Sequence, residues 1–222
     1  MIRVVLFDLD GTLMDTAPDL SDALNDTLRR GGWPGVDEAQ VRGWIGDGAR
    51  ALLAKAMAQA GAPAHAADAA WVGFAHDYAE RCGARSTLHV GVRPLLRRLH
   101  AHGLRLALLT NKEAEFAQRL LARHDIGSDF DIVVAGDTLP VKKPDPGVVT
   151  HVLQALDVHP DEALLVGDSV TDVRTARAAG IAVQLVRHGY AQGDLEGDGA
   201  PDAFIDDFDH FSLAASDRLS IA

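Results

Sequence analysis

The sequence predicts an α/β fold, a doubly wound and mostly parallel sheet with an inserted helical cap domain. Two observations predict this fold. Short unbroken runs of Val, Leu and Ile alternate with helix-like stretches, and one block without any strand-like run interrupts the alternation after the first run. Unbroken apolar runs are typical of strands buried on both faces, as in a parallel sheet covered by helices. Alternating strands and helices of this kind build an α/β domain.

The apolar runs and the stretches between them define the elements of the predicted core. The predicted strands are residues 4–7, 104–109, 132–135, 163–166 and 181–186. The predicted helices are residues 94–102, 113–124, 146–156 and 170–179. Gly103 and Gly180 follow two of these helices, where a left-handed residue is expected to end them. Residues 193–202 are rich in Gly and Asp and are expected to form a surface loop.

The interrupting block is predicted to be all helical. Three leucines recur every four residues behind Thr16, a candidate N-cap, and Pro18, which falls in the first turn. Two alanine-rich stretches, residues 49–60 and 64–82, predict two further helices. The predicted division is a catalytic core of residues 1–14 and 86–222 and a cap domain of residues 15–85.

Composition limits the classes of partner. The chain carries 21 Lys and Arg against 32 Asp and Glu, a formal net charge of −11. Such a field disfavours nonspecific binding to nucleic acid, and an anionic substrate would need local cations. No apolar run approaches the roughly 20 residues of a membrane helix, and no secretory signal is evident. A single cysteine, Cys82, excludes an intramolecular disulfide, so we expect a cytoplasmic protein. We also expect it to be monomeric or homodimeric and to make no membrane contact.

An acidic motif, Asp8-Leu9-Asp10-Gly11-Thr12, follows the first predicted strand. Ligands of open α/β sheets bind beyond the carboxyl ends of the strands. A carboxylate placed there can attack phosphorus and form an aspartyl phosphate. A second carboxylate two residues further on could protonate the leaving alkoxide and then deprotonate the attacking water. An acidic turn without function is common at strand ends, but this combination of residues favours phosphoryl transfer.

Two further motifs could hold the phosphoryl group. Thr110-Asn111 follows the second predicted strand, where a hydroxyl can donate a hydrogen bond to a phosphoryl oxygen or merely cap a helix. Lys142 and Lys143 precede prolines that stiffen their loop, and the chain has only four lysines. An ammonium group suits a phosphoryl oxygen, although such a pair can also be a solvated basic turn.

A fourth motif predicts a metal site. Asp168 lies at the tip of a buried strand, and Asp172 lies in the first turn of the next helix. Magnesium prefers one or two carboxylates together with water and phosphate oxygens. If the strands that carry these motifs are neighbours, their tips stand only about 4.8 Å apart. Mg²⁺ and Lys143 would then supply the positive charge that the acidic chain lacks.

Together the four motifs, in this order and context, resemble those of the haloacid dehalogenase (HAD) superfamily. The resemblance implies that Asp8 is the nucleophile and Asp10 the general acid and base. It implies that Thr110 and Lys143 hold the phosphoryl group, with Asn111 beside them. True dehalogenases of the superfamily lack the second aspartate of the first motif, so Asp10 favours phosphoryl chemistry over dehalogenation.

The same resemblance implies a Mg²⁺ cofactor. Its ligands would be the Asp8 carboxylate, the Asp10 backbone carbonyl and Asp168, with Asp172 in support. The substrate would be a small phosphorylated metabolite, because the helical cap of this superfamily closes over small substrates and discriminates between them.

One stretch of the cap carries information on the substrate. Residues 42–50 place three glycines around Trp44 and lead into a helix with Arg50 in its first turn. This stretch resembles the cap loop of bacterial phosphoglycolate phosphatases, as does the Gly189-Tyr190 pair. If the loop faces the site, Arg50 could bind a substrate carboxylate; alternatively, the loop is a connector with Trp44 in the core. The stretch also fits a dinucleotide fingerprint, which we reject because no strand precedes it.

The first-choice substrate is therefore 2-phosphoglycolate, and several alternatives stay open. Another small sugar or amino-sugar phosphate is the nearest alternative, since the motifs handle only the phosphoryl group. A phosphomutase is less favoured. A phosphonate hydrolase would need a cap lysine, and Lys55 is the only one in the insert. A non-catalytic binding protein would be expected to lose Asp8, Asp10 or Lys143. The ten histidines are scattered and are expected at the surface or at helix ends.

Overall fold

Six strands form one parallel sheet in the computed structural model, which describes residues 1–190 and 194–213. The strands are β1 (Val4–Phe7), β2 (Met14–Asp15), β3 (Thr87–Leu88), β4 (Arg105–Leu109), β5 (Ile132–Val134), β6 (Ala163–Gly167), β7 (Ala182–Val186) and β8 (Ala203–Ile205). The sheet order is β5-β4-β1-β6-β7-β8, and β2 and β3 form a separate antiparallel ribbon. The predicted mostly parallel sheet is confirmed, and β1 lies between β4 and β6, the two other strands that carry motifs.

Helices cover both faces of the sheet. They are α1 (Ala17–Arg30), α2 (Glu38–Arg42), α3 (Ala49–Gln59), α4 (Ala66–Arg81), α5 (Val92–Ala101), α6 (Ala114–Arg123), α7 (Gly147–Leu156) and α8 (Val170–Ala179). Side chains of a strand alternate between faces. Val5 and Phe7 of β1 therefore pack with α5 and α6, whereas Val4 and Leu6 pack with α7 and α8. This two-sided packing confirms the doubly wound fold.

The helices α1 to α4 come between β1 and β4 and are connected to the sheet by the β2–β3 ribbon. They share one hydrophobic cluster with α5 and α6, and the rings of Tyr78 on α4 and Phe116 on α6 lie 4.7 Å apart. This arrangement agrees with a helical cap on an α/β core. The boundaries proposed for the two units stay a prediction.

Details of the elements differ from the predictions for local reasons. The helix predicted from residue 94 begins at Val92, because Gly91 takes up a left-handed conformation at its N-cap and Pro94 fits the first turn. Gly103 and Gly180 have φ angles of 76° and 69°, which confirms the predicted helix stops. The predicted loop at residues 193–202 contains a short 3₁₀ helix, Gly197–Gly199, and its residue 193 lies outside the described residues. No helix within the described ranges is long and apolar enough to cross a membrane.

Candidate active site

The sequence motifs meet at the carboxyl edge of the sheet. Phe7 at the end of β1 is in register with Leu108 of β4 and Val166 of β6. The residues that follow these strands, among them Asp8 and Thr110, are therefore brought side by side. Asp8, Asp10, Thr110, Asn111, Lys143, Asp168 and Asp172 are all buried.

Lys143 binds two of the carboxylates directly. Its Nζ lies 2.8 Å from Asp8 Oδ1 and 2.7 Å from Asp172 Oδ1. Burial disfavours the ammonium, but the charges of Asp172 and Asp8 outweigh it and raise the pKa of Lys143 above its ordinary value. Burial raises the pKa of Asp8 to about 6, although Lys143 acts in the opposite direction. The nucleophile candidate is thus a buried carboxylate held by a cation that stays charged.

Asp172 supports the site from the first turn of α8. Its Oδ2 accepts hydrogen bonds from the backbone N–H of Ser169 at 3.1 Å and from the Ser169 hydroxyl at 2.8 Å. Its other oxygen is taken by Lys143. Because both oxygens are engaged, Asp172 orients Lys143 and the loop after β6 and has little capacity left for a further ligand.

Asp168 is packed tightly between glycines and a backbone donor. Its Oδ2 accepts the N–H of Tyr190 at 2.7 Å. A Cβ atom at Gly11 or at Gly189 would collide with the Asp168 side chain, so these glycines let the backbone approach it. Burial, together with the negative charges of Asp172 and Asp8, raises the pKa of Asp168 well above its ordinary value.

These carboxylates fit a divalent cation such as Mg²⁺. One oxygen from each of Asp8, Asp168 and Asp172 lies within 4.8 Å of the others. Three buried carboxylates face a single bound ammonium, Lys143, so the cluster lacks positive charge. Hard oxygen ligands of this type suit Mg²⁺. Both oxygens of Asp172 are engaged by hydrogen-bond donors, whereas Asp8 and Asp168 keep acceptor positions for a metal ion.

Asp10 contacts a residue that the sequence did not single out. Lys112 Nζ lies 3.1 Å from Asp10 Oδ1 and 2.9 Å from the hydroxyl oxygen of Tyr78 on α4. Asp10 Oδ1 also accepts a hydrogen bond from the Thr16 hydroxyl. Thr16 does precede α1, as predicted, but its side chain makes no cap hydrogen bond. The only available signal for Lys112 was its place directly after Thr110-Asn111.

Thr110 and Asn111 have different surroundings. Thr110 Oγ1 accepts the N–H of Lys112 at 3.2 Å and lines the cavity in front of Asp8. Asn111 bonds both the N–H and the carbonyl of Lys143, at 2.9 and 3.1 Å, and it donates to the Gly46 carbonyl at 2.9 Å. The Asn111 amide is thus engaged with two loops, and a phosphate-binding role for it stays a prediction.

A cavity lies between the core and the cap. The core lines it with Asp8, Asp10, Thr110, Asn111 and Lys112. The cap lines it with Leu20, Ile45, Gly46, Gly48, Ala49 and Leu52. The floor is polar and the roof is almost entirely apolar, as expected for a lid that closes a reaction off from water.

Two predicted cap residues do not line this cavity. Arg50 is exposed, and its guanidinium stacks 4.0 Å from the ring of Trp71 on α4. Trp44 is half-buried and packs against the hydrophobic core. The loop itself does face the site, through Ile45, Gly46 and Gly48, but the structure brings neither Arg50 nor Trp44 to the floor residues.

Tyr190 connects the metal-site candidate to the start of the cap. Its hydroxyl donates to Asp15 Oδ1 at 2.9 Å and accepts the backbone N–H groups of Thr16 and Ala17 at 2.9 and 3.0 Å. Arg42 on α2 binds both oxygens of Asp15, at 2.9 and 2.8 Å. Burial opposes ionisation of Asp15, but Arg42 and Tyr190 outweigh it and lower its pKa.

The parallel sheet, the buried aspartates at its carboxyl edge and the helical insert are together typical of one class of hydrolase. The chain belongs to the haloacid dehalogenase-like hydrolases, whose family model matches residues 2–180. The predicted superfamily membership is confirmed.

Two relatives and one solved structure are similar to this chain over most of its length. The chain is 40% identical over 211 residues to a phosphoglycolate phosphatase of Pseudomonas putida, covering 92% of this chain and 76% of that protein. It is 41% identical over 214 residues to a phosphoglycolate phosphatase of Rhodospirillum rubrum, covering 94% and 88%. A crystal structure of a predicted phosphoglycolate phosphatase from Haemophilus somnus matches with a TM-score of 0.86 at 31% identity, covering 93% of this chain and 95% of that one.

Proposed function

We propose that the protein is a Mg²⁺-dependent phosphatase that hydrolyses 2-phosphoglycolate to glycolate and phosphate through an aspartyl phosphate on Asp8. The observation that carries this proposal is the position of Asp8, whose carboxylate lies at the cavity floor 2.8 Å from Lys143 Nζ. The names of the relatives support the choice of substrate.

The residues of the site divide the reaction between them. Asp8 attacks phosphorus while Lys143 and Thr110 hold the phosphoryl oxygens, and Asp10 gives its proton to the leaving oxygen of the ester. Asp10 then takes a proton from the water that attacks the aspartyl phosphate, which releases phosphate and restores Asp8. Mg²⁺, held by Asp8 and Asp168, would neutralise charge on the phosphoryl group when bound.

Substitution of Asp8 tests the proposal. We expect Asp8→Asn to lower phosphate release from 2-phosphoglycolate by about 10³-fold or more, because the variant lacks the nucleophile. Asp161→Asn makes the same change at an exposed position before β6, at the opposite end of the strand from Asp168, and is the matched control. Thermal melts of both variants check the fold. Full activity of a folded Asp8→Asn variant would refute the nucleophile assignment.

Other substrates and reactions are separated by product analysis. Ranking small phosphate esters by kcat/KM with Mg²⁺ distinguishes 2-phosphoglycolate from sugar and amino-sugar phosphates. Isomerised product without free phosphate would indicate a mutase. Lys55 Nζ lies 2.7 Å from Asp47 Oδ2 and does not line the cavity, which weighs against the phosphonate hydrolase. Intact Asp8, Asp10 and Lys143 weigh against a non-catalytic protein.

The cytoplasmic location and the monomeric or homodimeric state stay predictions from the sequence. Cys82, the only cysteine of the chain, is buried, and burial raises its pKa to about 11. It is therefore a weak candidate for reactive thiol chemistry.

A further inference from the structure

One positive charge lies in the wall of the active-site cavity. Among the described residues that line the cavity, Lys112 alone carries a cationic side chain. The other cation of the site, Lys143, is held between Asp8 and Asp172 on the phosphoryl side. The side chain of Lys112 is only 3% exposed, so its ammonium group is shielded from solvent.

The position of Lys112 is fixed from two sides. Its Nζ lies 3.1 Å from Asp10 Oδ1 on the core and 2.9 Å from the hydroxyl oxygen of Tyr78 on the cap. Burial raises the pKa of Tyr78 well above its ordinary value, so its hydroxyl is a neutral acceptor. An ammonium group has three N–H donors, which is more than the contacts with Asp10 and Tyr78 require, and Lys112 lines the cavity.

The chemistry of the proposed substrate requires a cation at this place. Asp10 acts on the ester oxygen, and in 2-phosphoglycolate that oxygen is separated from the carboxylate by a single methylene group. A side chain that contacts Asp10 is therefore within reach of the carboxylate. The cap side of the cavity is apolar, and burial of a carboxylate without a partner is costly.

From this geometry we propose that Lys112 binds the carboxylate of the substrate and sets a preference for carboxylated phosphate esters, with Tyr78 as its positioning residue. The inference rests on the proposed phosphatase function and adds a residue that determines its specificity. Arg50, the cation predicted for this role from the sequence, lies outside the cavity.

The test compares two esters that differ in one group. Ethyl phosphate carries a methyl group where 2-phosphoglycolate carries its carboxylate. In Lys112→Met we expect kcat/KM for 2-phosphoglycolate to fall by roughly 100-fold or more and that for ethyl phosphate by less than about 10-fold. Lys112→Arg, which keeps the charge, should retain part of the preference. Lys55→Met is the matched control, because it removes a partly buried lysine of the cap that does not line the cavity.

The outcomes separate this inference from the proposed function. Equal losses on both esters would mean that Lys112 only holds Asp10, and this would overturn the inference. A wild-type protein that shows no preference for the carboxylated ester would overturn it as well. A wild-type protein that hydrolyses neither ester would overturn the proposed function instead.

Binding provides a readout that does not depend on turnover. In an Asp8→Asn background, calorimetry should show tighter binding of 2-phosphoglycolate than of ethyl phosphate, and Lys112→Met should remove the difference. If Lys112→Met does not fold, Tyr78→Phe replaces it, because this change keeps the buried ring and removes the hydroxyl that accepts from Lys112. Tyr78→Phe should raise KM for 2-phosphoglycolate more than KM for ethyl phosphate; an equal change would contradict the inference.

Discussion

His89 is a half-buried imidazole next to a second histidine. Its ring centroid lies 4.1 Å from that of His188, and its Nε2 is buried without a hydrogen-bond partner among the described residues. Burial lowers the pKa of His89 to about 4; His188 and Arg42 act in the same direction, whereas Asp15 opposes them. The expectation that the histidines lie at the surface or at helix ends is therefore wrong for this residue.

This histidine should make stability depend on pH. An unfolded histidine has a pKa near 6.5, so between about pH 6.5 and pH 4 the unfolded state binds more protons, and stability falls as the pH falls. We expect the wild type to lose on the order of 1 kcal/mol more than His89→Phe between pH 7 and pH 5, after allowing for partial exposure. Urea denaturation at both pH values measures this. Equal losses in the two proteins would contradict the argument.

At the scale of single residues, the sequence predicted that Asp8 and Asp168 meet, because they follow neighbouring strands of one parallel sheet. Lys143 joins them from a loop after β5, and the catalytic roles of all three stay predictions. Lys112 was missed because its role depends on Tyr78, 34 positions earlier in the chain and on another element. Arg50 could bind a substrate carboxylate only if the glycine loop turned it toward the cavity. The direction of its side chain depends on Trp71, a contact that spacing cannot reveal.

Among the elements, helix α1 is tied to the chain that returns from the cap. Asp19 is buried on α1 and accepts backbone N–H groups of Gly83, Arg85 and Ser86 at 2.9, 2.8 and 3.0 Å, as well as the Ser86 hydroxyl. One side chain therefore satisfies four donors of a segment without regular structure and ties that segment to the first helix of the insert.

Removal of this carboxylate should destabilise the protein. Asp19→Ala leaves several buried N–H groups without partners, and we expect a loss of roughly 3 kcal/mol in the free energy of unfolding. Asp22→Ala on the same helix removes only a partly exposed ion pair with Arg85 and should cost less than about 0.5 kcal/mol. Urea denaturation curves compare the two. Similar small losses in both variants would show that Asp19 does not hold the crossing.

Short elements escaped prediction for a common reason. The β2–β3 ribbon has two residues in each strand, α2 has five residues and β8 has three. Elements as short as these show no apolar period in the sequence. Their backbone pairs with distant segments, as Ala203 of β8 does with Gln184 of β7. Longer elements follow from their own apolar pattern, and α8 begins and ends at the predicted residues.

On the scale of the whole molecule, the helical insert and the sheet share one hydrophobic cluster. Leu20 and Phe74 of the insert belong to the same cluster as Phe7 and Leu95 of the core. Cys82 Sγ of the insert also donates to the carbonyl oxygen of Phe116 on α6 at 3.5 Å. Within the described residues, the insert therefore has no hydrophobic cluster separate from that of the core.

We expect a single cooperative unfolding transition. Trp33, Trp44 and Trp71, the three tryptophans of the chain, all lie in the insert, so their fluorescence reports on the cap alone. Far-UV circular dichroism reports on the helices of both units. The two probes should give coincident denaturation curves. A fluorescence change at a lower urea concentration would show that the cap unfolds by itself.

The three hydrogen bonds of Asn111 bear on how product departs. Two of them hold Lys143, within the core, and the third reaches the Gly46 carbonyl on the opposite side of the cleft. If the insert moves away from the core during turnover, only the third of these bonds would break. The backbone of Lys143 would stay anchored to Asn111 in both positions of the insert, because those two bonds lie within the core.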